Sequence, residues 1–330
     1  MRKVQVSYST MEDQEKLVDY IYRKIGRRLK LGPISYGGKL TILVISLDLK
    51  QISGNNITGA IHFPGLRFRN VDEFIRWHEG RRNRIIVHIP HASLAVPNHF
   101  SKRLKVKKEY FDRMNLYESD YLIDEFKPDD LECLMFPYSR MFCDVERFRD
   151  DKKEKMALFC KRGVIYELDS NRKEFIDLDP DYRNTVLNEY YDDHHRRFND
   201  LVREKINTYG DCLIIDLHSF GDEYGRKTSV FECINSSFYP DICIGFNDYD
   251  RMKEMVKRIQ YLCAKYGYTN SLNYPYSGSI VPADYMNDKM VRSIMLEINK
   301  RIYLNEETDS LNQEKSEKLK CFLEDFYKHL

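Results

Sequence analysis

Short apolar runs alternate with amphipathic helical stretches from about residue 84 to the end of the chain. The runs typical of buried strands are RIIVHIP, LECLMFPYS, MFCDVERF, DCLIIDLHSF, PDICIGFN and RSIMLEINKRIYL. The longest helical patterns are NTVLNEYYDDHHRRFNDLVREKINTYG, DYDRMKEMVKRIQYLCAKYG and SEKLKCFLEDFYKHL. Strands that are apolar on both faces and alternate with helices predict a three-layer α/β fold, in which helices cover both faces of a mixed, mostly parallel sheet.

The first part of the chain has a different pattern. Residues 1–80 contain a helical stretch (MEDQEKLVDYIYRKIGRRLK), an apolar β run (KLTILVISLDL) and the start of a second helical stretch (NVDEFIRWHEGRRNR). This pattern predicts a small N-terminal α/β appendage over residues 1–80, to which we assign no role, and a catalytic domain over residues 81–330.

The charge balance limits the classes of partner. Lys+Arg number 53 and Asp+Glu 52 in the 330 residues, so there is no global field to attract nucleic acid or an anionic membrane. The chain begins without an apolar signal-like region, and no window approaches the roughly 18 apolar residues of a membrane-spanning helix. We therefore expect a soluble, cytoplasmic protein that acts on a small molecule.

Two predicted strands end in residues that bind metals. RIIVHIPHAS carries His88 and His91, and CLIIDLHSF carries Asp216 and His218. In α/β sheets functional groups lie at the carboxyl ends of strands, so two imidazoles there could share one ion. Asp216 lies two residues before His218, on the same side of the strand, and could hydrogen-bond a ligand imidazole. The alternative is that each histidine is satisfied by a nearby carbonyl.

A catalytic zinc ion commonly takes two histidines and one carboxylate. The helix-like segment YESDYLIDEF offers four acidic candidates for the third ligand: Glu118, Asp120, Asp124 and Glu125. Helical spacing would place Asp120 and Asp124 on one face, and spacing alone does not choose between them. An acidic helix of this kind is also typical of a solvated face.

A carboxylate lies within the apolar run VRSIMLEINKRIYL. Glu297 is flanked by Leu296 and Ile298, so it is expected at the edge of a buried layer, where it needs a partner or a function. Beside a metal it could serve as a general base. The alternative is a buried ion pair with Arg301 or Arg292.

Candidate substrate-binding groups lie in three further places. Arg140 and Arg147 flank a short strand-like run, and Arg301 follows Glu297; guanidinium groups suit an anionic substrate. In the turn-rich loop YPYSGSIVP, Ser277 and Gly278 could bring backbone donors close to a ligand. Solvent-facing arginines and an ordinary connecting loop are the alternatives.

An ordered set of short motifs resembles the N-formylglutamate amidohydrolases over roughly residues 84–304. The motifs are PHAS, SDYLIDEF, SRMFCDVERF, GVIYE, YYDDHH, DLHSF, PDICIGFND, YPYSGS and LEINKRIY. The resemblance implies a fold similar to that of zinc carboxypeptidases, one zinc ion, and hydrolysis of an amide next to a free carboxylate. It also implies a part in histidine and glutamate metabolism.

Individual roles follow from the resemblance residue by residue. It implies that His91, Asp120 and His218 bind zinc and that Glu297 is the catalytic base. It also implies that Arg140 and Arg147 hold substrate carboxylates. His195 matches a histidine that recurs in the family after the paired tyrosines, and this match implies that His195 supports the metal ligands from behind.

The sequence departs from the family pattern at two positions. Where the family typically has Asp-x-Asn-Arg, this chain has Glu146 in place of the asparagine before Arg147. A carboxylate there is expected to repel an anionic substrate or to neutralise Arg147. The loop that usually has two glycines here has Gly278 followed by Ser279.

Our leading prediction is a zinc-dependent amidohydrolase. Its substrate would be N-formyl-L-glutamate, which it would convert to formate and glutamate, or a related anionic N-acyl amino acid or small peptide. The alternative is a catalytically inactive metal-binding or regulatory module of the same fold, suggested by Glu146 and the appendage.

Overall fold

The structure, a computed structural model, describes residues 3–8, 10–20, 33–36, 39–45, 66–153, 155–169, 172–221, 239–305, 308–328 and 330. The chain divides into two compact units, Met1–Arg81 and Arg82–Leu330.

The first unit contains a four-stranded sheet with the order β2-β3-β1-β4. Its strands are β1 (Lys3–Tyr8), β2 (Pro33–Tyr36), β3 (Lys39–Ile45) and β4 (Leu66–Phe68). Helix α1 (Met11–Tyr20) follows β1, and α2 (Val71–Asn83) leads into the second unit. The rest of the first predicted helix and the end of the β run lie outside the described residues.

The second unit is built on a six-stranded sheet with the order β6-β5-β7-β10-β8-β9. Its strands are β5 (Ile85–Ile89), β6 (Glu132–Met135), β7 (Cys212–Phe220), β8 (Ile242–Gly245), β9 (Asn270–Leu272) and β10 (Val291–Asn299). All neighbouring pairs are parallel except β10 and β8. The predicted mixed, mostly parallel sheet is confirmed. A short antiparallel pair, β11 (Leu304–Asn305) and β12 (Ser310–Leu311), follows.

Helices lie on both faces of this sheet. The helices of the second unit are α3 (Asn98–Ser101), α4 (Lys108–Glu118), α5 (Lys155–Cys160), α6 (Pro180–Val186), α7 (Asp192–Tyr209), α8 (Tyr249–Tyr266) and α9 (Gln313–Lys328). Of these, α7 packs on one face and α8 and α9 pack on the other. A π turn, Leu187–Tyr191, joins α6 to α7. Of the helices that the structure describes, none is long and apolar enough to cross a membrane.

Two apolar clusters hold the layers together. On one face, Phe198 and Val202 of α7 pack with Ile86 and Ile214 of the sheet. On the other face, α8 and α9 pack against a larger cluster that includes Leu217 and other alternate residues of β5, β7 and β10. Each fully buried aliphatic or aromatic side chain contributes roughly 1.5–3 kcal/mol. The central strands are therefore rigid supports for the side chains at their ends.

Helix α8 shows how local sequence sets these boundaries. Asp248 caps its first turn, because the carboxylate accepts the backbone N–H of Arg251. Gly267, with φ of 68°, ends it in the left-handed conformation that glycine adopts without steric cost. The stop fixes the start of β9 and the loop that leads to the site.

Candidate metal centre

Adjacent strands bring the predicted chemistry together at one edge of the sheet. His88 of β5 pairs in register with Asp216 of β7, and His218 of β7 pairs with Glu297 of β10. His91 lies two residues beyond the end of β5. Because β5, β7 and β10 are parallel, their carboxyl ends lie at the same edge of the sheet and place these side chains next to one another.

The prediction that Asp120 lies on a helix with Asp124 is wrong, because the helix ends before Asp120. Helix α4 ends at Glu118, and Ser119 is extended, with φ of −88° and ψ of 158°. The backbone N–H of Asp120 donates to the carbonyl of His91 at 2.8 Å, and the ammonium of Lys300 donates to the Ser119 carbonyl at 2.6 Å. A cation at the carbonyl end of α4 is favourable. These contacts stop the helix and turn Asp120 inward.

The other acidic candidates have different surroundings. Glu118 pairs with Arg162, and Asp124 and Glu125 lie in a 3-10 turn, Ile123–Phe126. Among the described residues, Asp120 is the one of the four that joins the two histidines.

His91, Asp120 and His218 form a buried cluster whose donor atoms all lie within 4.8 Å of one another. His218 Nδ1 is 2.8 Å from Asp120 Oδ2, and His91 Nδ1 is 3.8 Å from the same oxygen. His91 Nδ1 is buried and has no hydrogen-bond partner. A buried polar atom without a partner is costly, and two histidines with one carboxylate are a zinc donor set. These residues therefore fit a divalent ion.

Asp144 orients His91. Its carboxylate accepts a hydrogen bond from His91 Nε2 at 2.9 Å, from Arg140 at 2.8 Å and from the Tyr166 hydroxyl at 2.7 Å. Burial opposes ionisation of Asp144, but Arg140, Arg147 and His91 outweigh it and hold its pKa well below the ordinary value. With Nε2 engaged by this carboxylate, His91 presents Nδ1 to Asp120.

Asp216 supports two imidazoles. Its Oδ1 lies 2.9 Å from His88 Nδ1 and 3.1 Å from His218 Nε2. His88 is fixed from behind by His194, whose Nε2 is 3.1 Å from His88 Nε2, and by the ring of Phe198, stacked at 4.7 Å. Asp216 therefore hydrogen-bonds His88, which is not one of the predicted ligands, and approaches the predicted ligand His218 without a hydrogen bond.

Glu146 faces histidines and not Arg147. Its carboxylate lies 3.2 Å from His218 Nε2, 3.7 Å from His88 Nδ1 and 3.9 Å from His91 Nδ1. Arg147 instead lies 3.6 Å from Asp144. The ion pair between Glu146 and Arg147 that the sequence led us to expect is therefore not found among the contacts of the described residues. Burial alone would lower the pKa of His218, but Glu146, Asp216 and Asp120 raise it well above its ordinary value.

Glu297 is a buried carboxylate that pairs with neither Arg292 nor Arg301. Arg292 pairs with Asp211 and Arg301 with Asp241, so the alternative ion pair does not form. The side chain is 8% exposed, and Oε2 makes no hydrogen bond. Burial, with Asp120 and Glu146 adding to it against His218, raises the pKa of Glu297 to about 8. A carboxylate with a pKa near neutrality can both take up and release a proton.

The predicted substrate-binding residues divide into two groups. Arg140 and Arg147 converge on Asp144, beside the cluster. Arg301 is committed to Asp241 and to the carbonyl of Tyr239, both at 2.8 Å. Its contacts tie the end of β10 to the segment before β8 and give no support to a role in substrate binding.

The loop with Ser277 and Gly278 has its own internal contacts. Ser277 is exposed, and the N–H of Gly278 donates to Asn273 Oδ1 at 3.1 Å. The loop touches the cluster through Ile280, whose N–H donates to Asp216 Oδ2 at 3.3 Å.

His195 acts on the backbone. Its Nε2 lies 2.9 Å from the carbonyl of Val145, and the N–H of Glu146 donates to Asp144 Oδ1 at 3.0 Å. The run MFCDVERF, predicted as a strand, forms a set of turns in the structure. His195 reaches the cluster by anchoring the segment that carries Asp144 and Glu146.

Sequence reasoning missed four supporting residues: Asp144, Tyr166, His194 and Lys300. A signal existed for Asp144, because an acidic residue inside the apolar run MFCDV, with Arg140 and Arg147 on either side, needs a buried partner. Tyr166 and His194 lie in the motifs GVIYE and YYDDHH, but those motifs do not reveal their partners, which are distant in sequence.

Comparison with known proteins places this geometry in context. The sequence profile of the N-formylglutamate amidohydrolases matches residues 83–304. The crystal structure of N-formylglutamate amidohydrolase from Ralstonia eutropha JMP134 is similar with a TM-score of 0.62 and 20% identity, covering 76% of this chain and 95% of that one. A gene product of Agrobacterium tumefaciens is similar with a TM-score of 0.52 and 16% identity, covering 75% and 89%. At these identities the two structures show a shared fold. Among curated proteins no match was found.

Proposed function

The chain belongs to the N-formylglutamate amidohydrolase family, and on that premise we propose that it is a zinc-dependent hydrolase of an N-formyl or related N-acyl amino acid, or of a small peptide. The observation that carries the zinc proposal is the buried set His91, Asp120 and His218, in which His91 Nδ1 has no hydrogen-bond partner.

His91, Asp120 and His218 would hold the ion, with Asp144 fixing the ring of His91. When bound there, zinc supplies Lewis acidity that polarises an amide carbonyl and acidifies water. The strands hold these donors near one another, because His218 lies on β7, His91 lies two residues beyond β5, and the backbone N–H of Asp120 donates to the His91 carbonyl.

Glu297 would move the proton. It lies in register with His218 on the adjacent strand, and its Oε2 has no competing hydrogen bond. As a carboxylate it takes a proton from the attacking water, and as a carboxylic acid it gives that proton to the leaving nitrogen. General acid–base catalysis of this kind contributes typically 10²–10⁴-fold in rate.

Arg140 would hold the carboxylate of the substrate. One of its terminal nitrogens is taken by Asp144, whereas Nε makes no hydrogen bond. Arg147, which lies beside the same carboxylate, adds positive charge. A fixed guanidinium that binds the substrate remote from the amide orients the carbonyl, and such positioning lowers the barrier.

Metal analysis and a matched pair of variants test this function. We expect zinc in the purified protein, hydrolysis of a substrate from a panel of N-formyl, N-acetyl and dipeptide compounds that includes N-formyl-L-glutamate, and a loss of at least 100-fold in Glu297→Gln. Glu189→Gln, at an exposed position, is the control and should match the wild type. Protein that takes up no zinc, or a Glu297→Gln variant with full activity, would contradict the proposal. Zinc uptake without hydrolysis of any member would favour the inactive module.

A further inference from the structure

A second group of donor atoms lies next to the first. His88, Glu146 and Asp216 also offer one atom each within 4.8 Å of one another. Donors at about 2.0–2.2 Å from one ion lie at most about 4.4 Å apart. The distances from His88 Nδ1 to Asp216 Oδ1, 2.9 Å, and to Glu146 Oε1, 3.7 Å, are within that limit. All three residues lie outside the set to which we assign zinc.

Glu146 lies between the two groups. Its Oε1 is 3.7 Å from His88 Nδ1, and its Oε2 is 3.9 Å from His91 Nδ1. One oxygen therefore faces each donor set, which is how a carboxylate that bridges two ions is arranged. Bridged ions in hydrolytic centres are about 3.5–4 Å apart.

The carboxylate of Glu146 lies among imidazoles. Within the described part of the chain its ion-pair contacts are all to histidines, and Oε1 is buried without a hydrogen-bond partner. His218 Nε2, on a side chain that is 3% exposed, also makes no hydrogen bond, although it lies 3.2 Å from Glu146 Oε2 and 3.1 Å from Asp216 Oδ1. Charged groups shielded from water are paired or coordinate metals, and a cation between Glu146 and Asp216 would give both carboxylates a counter-charge.

The remaining donor atoms are positioned as in built metal sites. Asp216 accepts the N–H of Ile280 with Oδ2 and keeps Oδ1 towards His88. His88 has His194 at Nε2, so its Nδ1 lone pair can face an ion while Nε2–H donates to His194. The backbone on both sides of Glu146 is held, by His195 at the Val145 carbonyl and by Asp144 at the Glu146 N–H.

We infer that the chain holds a second divalent first-row cation at His88, Glu146 and Asp216, with Glu146 bridging it to the ion at His91, Asp120 and His218. The inference rests on the proposed function, since it adds an ion to the same centre. The second set has one nitrogen and two oxygens, and oxygen-rich sets accept Mn²⁺ as well as Zn²⁺.

Metal stoichiometry of the full chain tests this inference separately from activity. Protein stripped with a chelator, reloaded with Zn²⁺ and desalted is expected to contain two ions per chain by mass spectrometry. Glu146→Gln and His88→Gln should each retain one ion, and Glu189→Gln should retain two. Circular dichroism checks that each variant is folded.

Wild-type protein loaded with Mn²⁺ provides a readout that needs no variant. Two ions bridged by a carboxylate should give an exchange-coupled electron paramagnetic resonance spectrum, and separate ions should not. One ion per chain in the wild type, or two in both Glu146→Gln and His88→Gln, would overturn the second site and leave the proposed function intact. No bound ion at all would count against the proposed function itself.

Discussion

Replacing Glu297 with glutamine should stabilise the metal-free protein increasingly as the pH rises. The folded protein raises the pKa of this carboxyl from 4.5 to about 8, chiefly through burial. Below pH 4.5 the group is protonated in both the folded and the unfolded state. As the pH rises towards 8, the unfolded chain ionises first, and the wild type loses the stability associated with the protonated form.

The size of the effect follows from the same shift. One pKa unit corresponds to about 1.4 kcal/mol, so the gap in unfolding free energy between the variant and the wild type should widen by ~3 kcal/mol between pH 5 and pH 8. Glutamine cannot ionise, and any change in packing that it causes adds an offset that does not depend on pH. The change of the gap with pH therefore isolates the carboxyl group.

Urea denaturation of chelator-treated protein at several pH values measures the gap. Glu189→Gln is the control for loss of a carboxylate at an exposed position. The difference in unfolding free energy between this variant and the wild type should stay constant with pH. Bound zinc stabilises the ionised form of a nearby carboxylate, so saturating zinc should make the gap smaller at pH 8. A gap that is constant or that narrows with pH in the metal-free protein would refute the assignment of a raised pKa to Glu297.

Three further substitutions have expected outcomes. Asp144→Asn removes the anionic acceptor of His91 Nε2 and should weaken zinc binding by about 10–100-fold in competition with a chromogenic chelator; unchanged affinity would show that Asp144 does not orient the ligand. Gly278→Ala places a Cβ 2.9 Å from Asn247 Oδ1 at a φ of +85° and should cost roughly 1–3 kcal/mol of unfolding free energy; an unchanged melting temperature would contradict this. Phe198→Ala removes a fully buried ring that stacks on His88 and should cost about 3–5 kcal/mol in a denaturant titration, which a loss under 1 kcal/mol would exclude.

The strands were predictable from the sequence because each is marked by a local run of apolar residues. Runs such as CLIIDLHSF are buried at every position in the structure, and a strand that is apolar throughout can be covered only by helices on both faces. His218 and Glu297 were found for the same reason, since polar residues stand out inside such runs.

The third candidate ligand, Asp120, was not predictable by the same reasoning. The end of α4 depends on Lys300, more than 180 residues away in sequence, which donates to the carbonyl of Ser119. The helical pattern of YESDYLIDEF does not contain this contact. Spacing therefore favoured a helical face, and the choice of Asp120 came from the resemblance to a family.

The surroundings of Glu146 could not be predicted from its neighbour in the sequence. Glu146 and Arg147 are neighbours, but the turn that carries them points one towards the histidines and the other towards Asp144. The turn has this shape because His195 holds the Val145 carbonyl and Asp144 holds the Glu146 N–H.

It follows that Glu146 need not repel an anionic substrate. Its oxygens lie within 4 Å of three imidazoles, where bound cations or an imidazolium would balance its charge at short range. Arg140 and Arg147 both approach Asp144, at 2.8 and 3.6 Å. A substrate carboxylate that binds Arg140, as proposed, would meet a guanidinium group whose contacts in the described part of the chain are to Asp144 and not to Glu146.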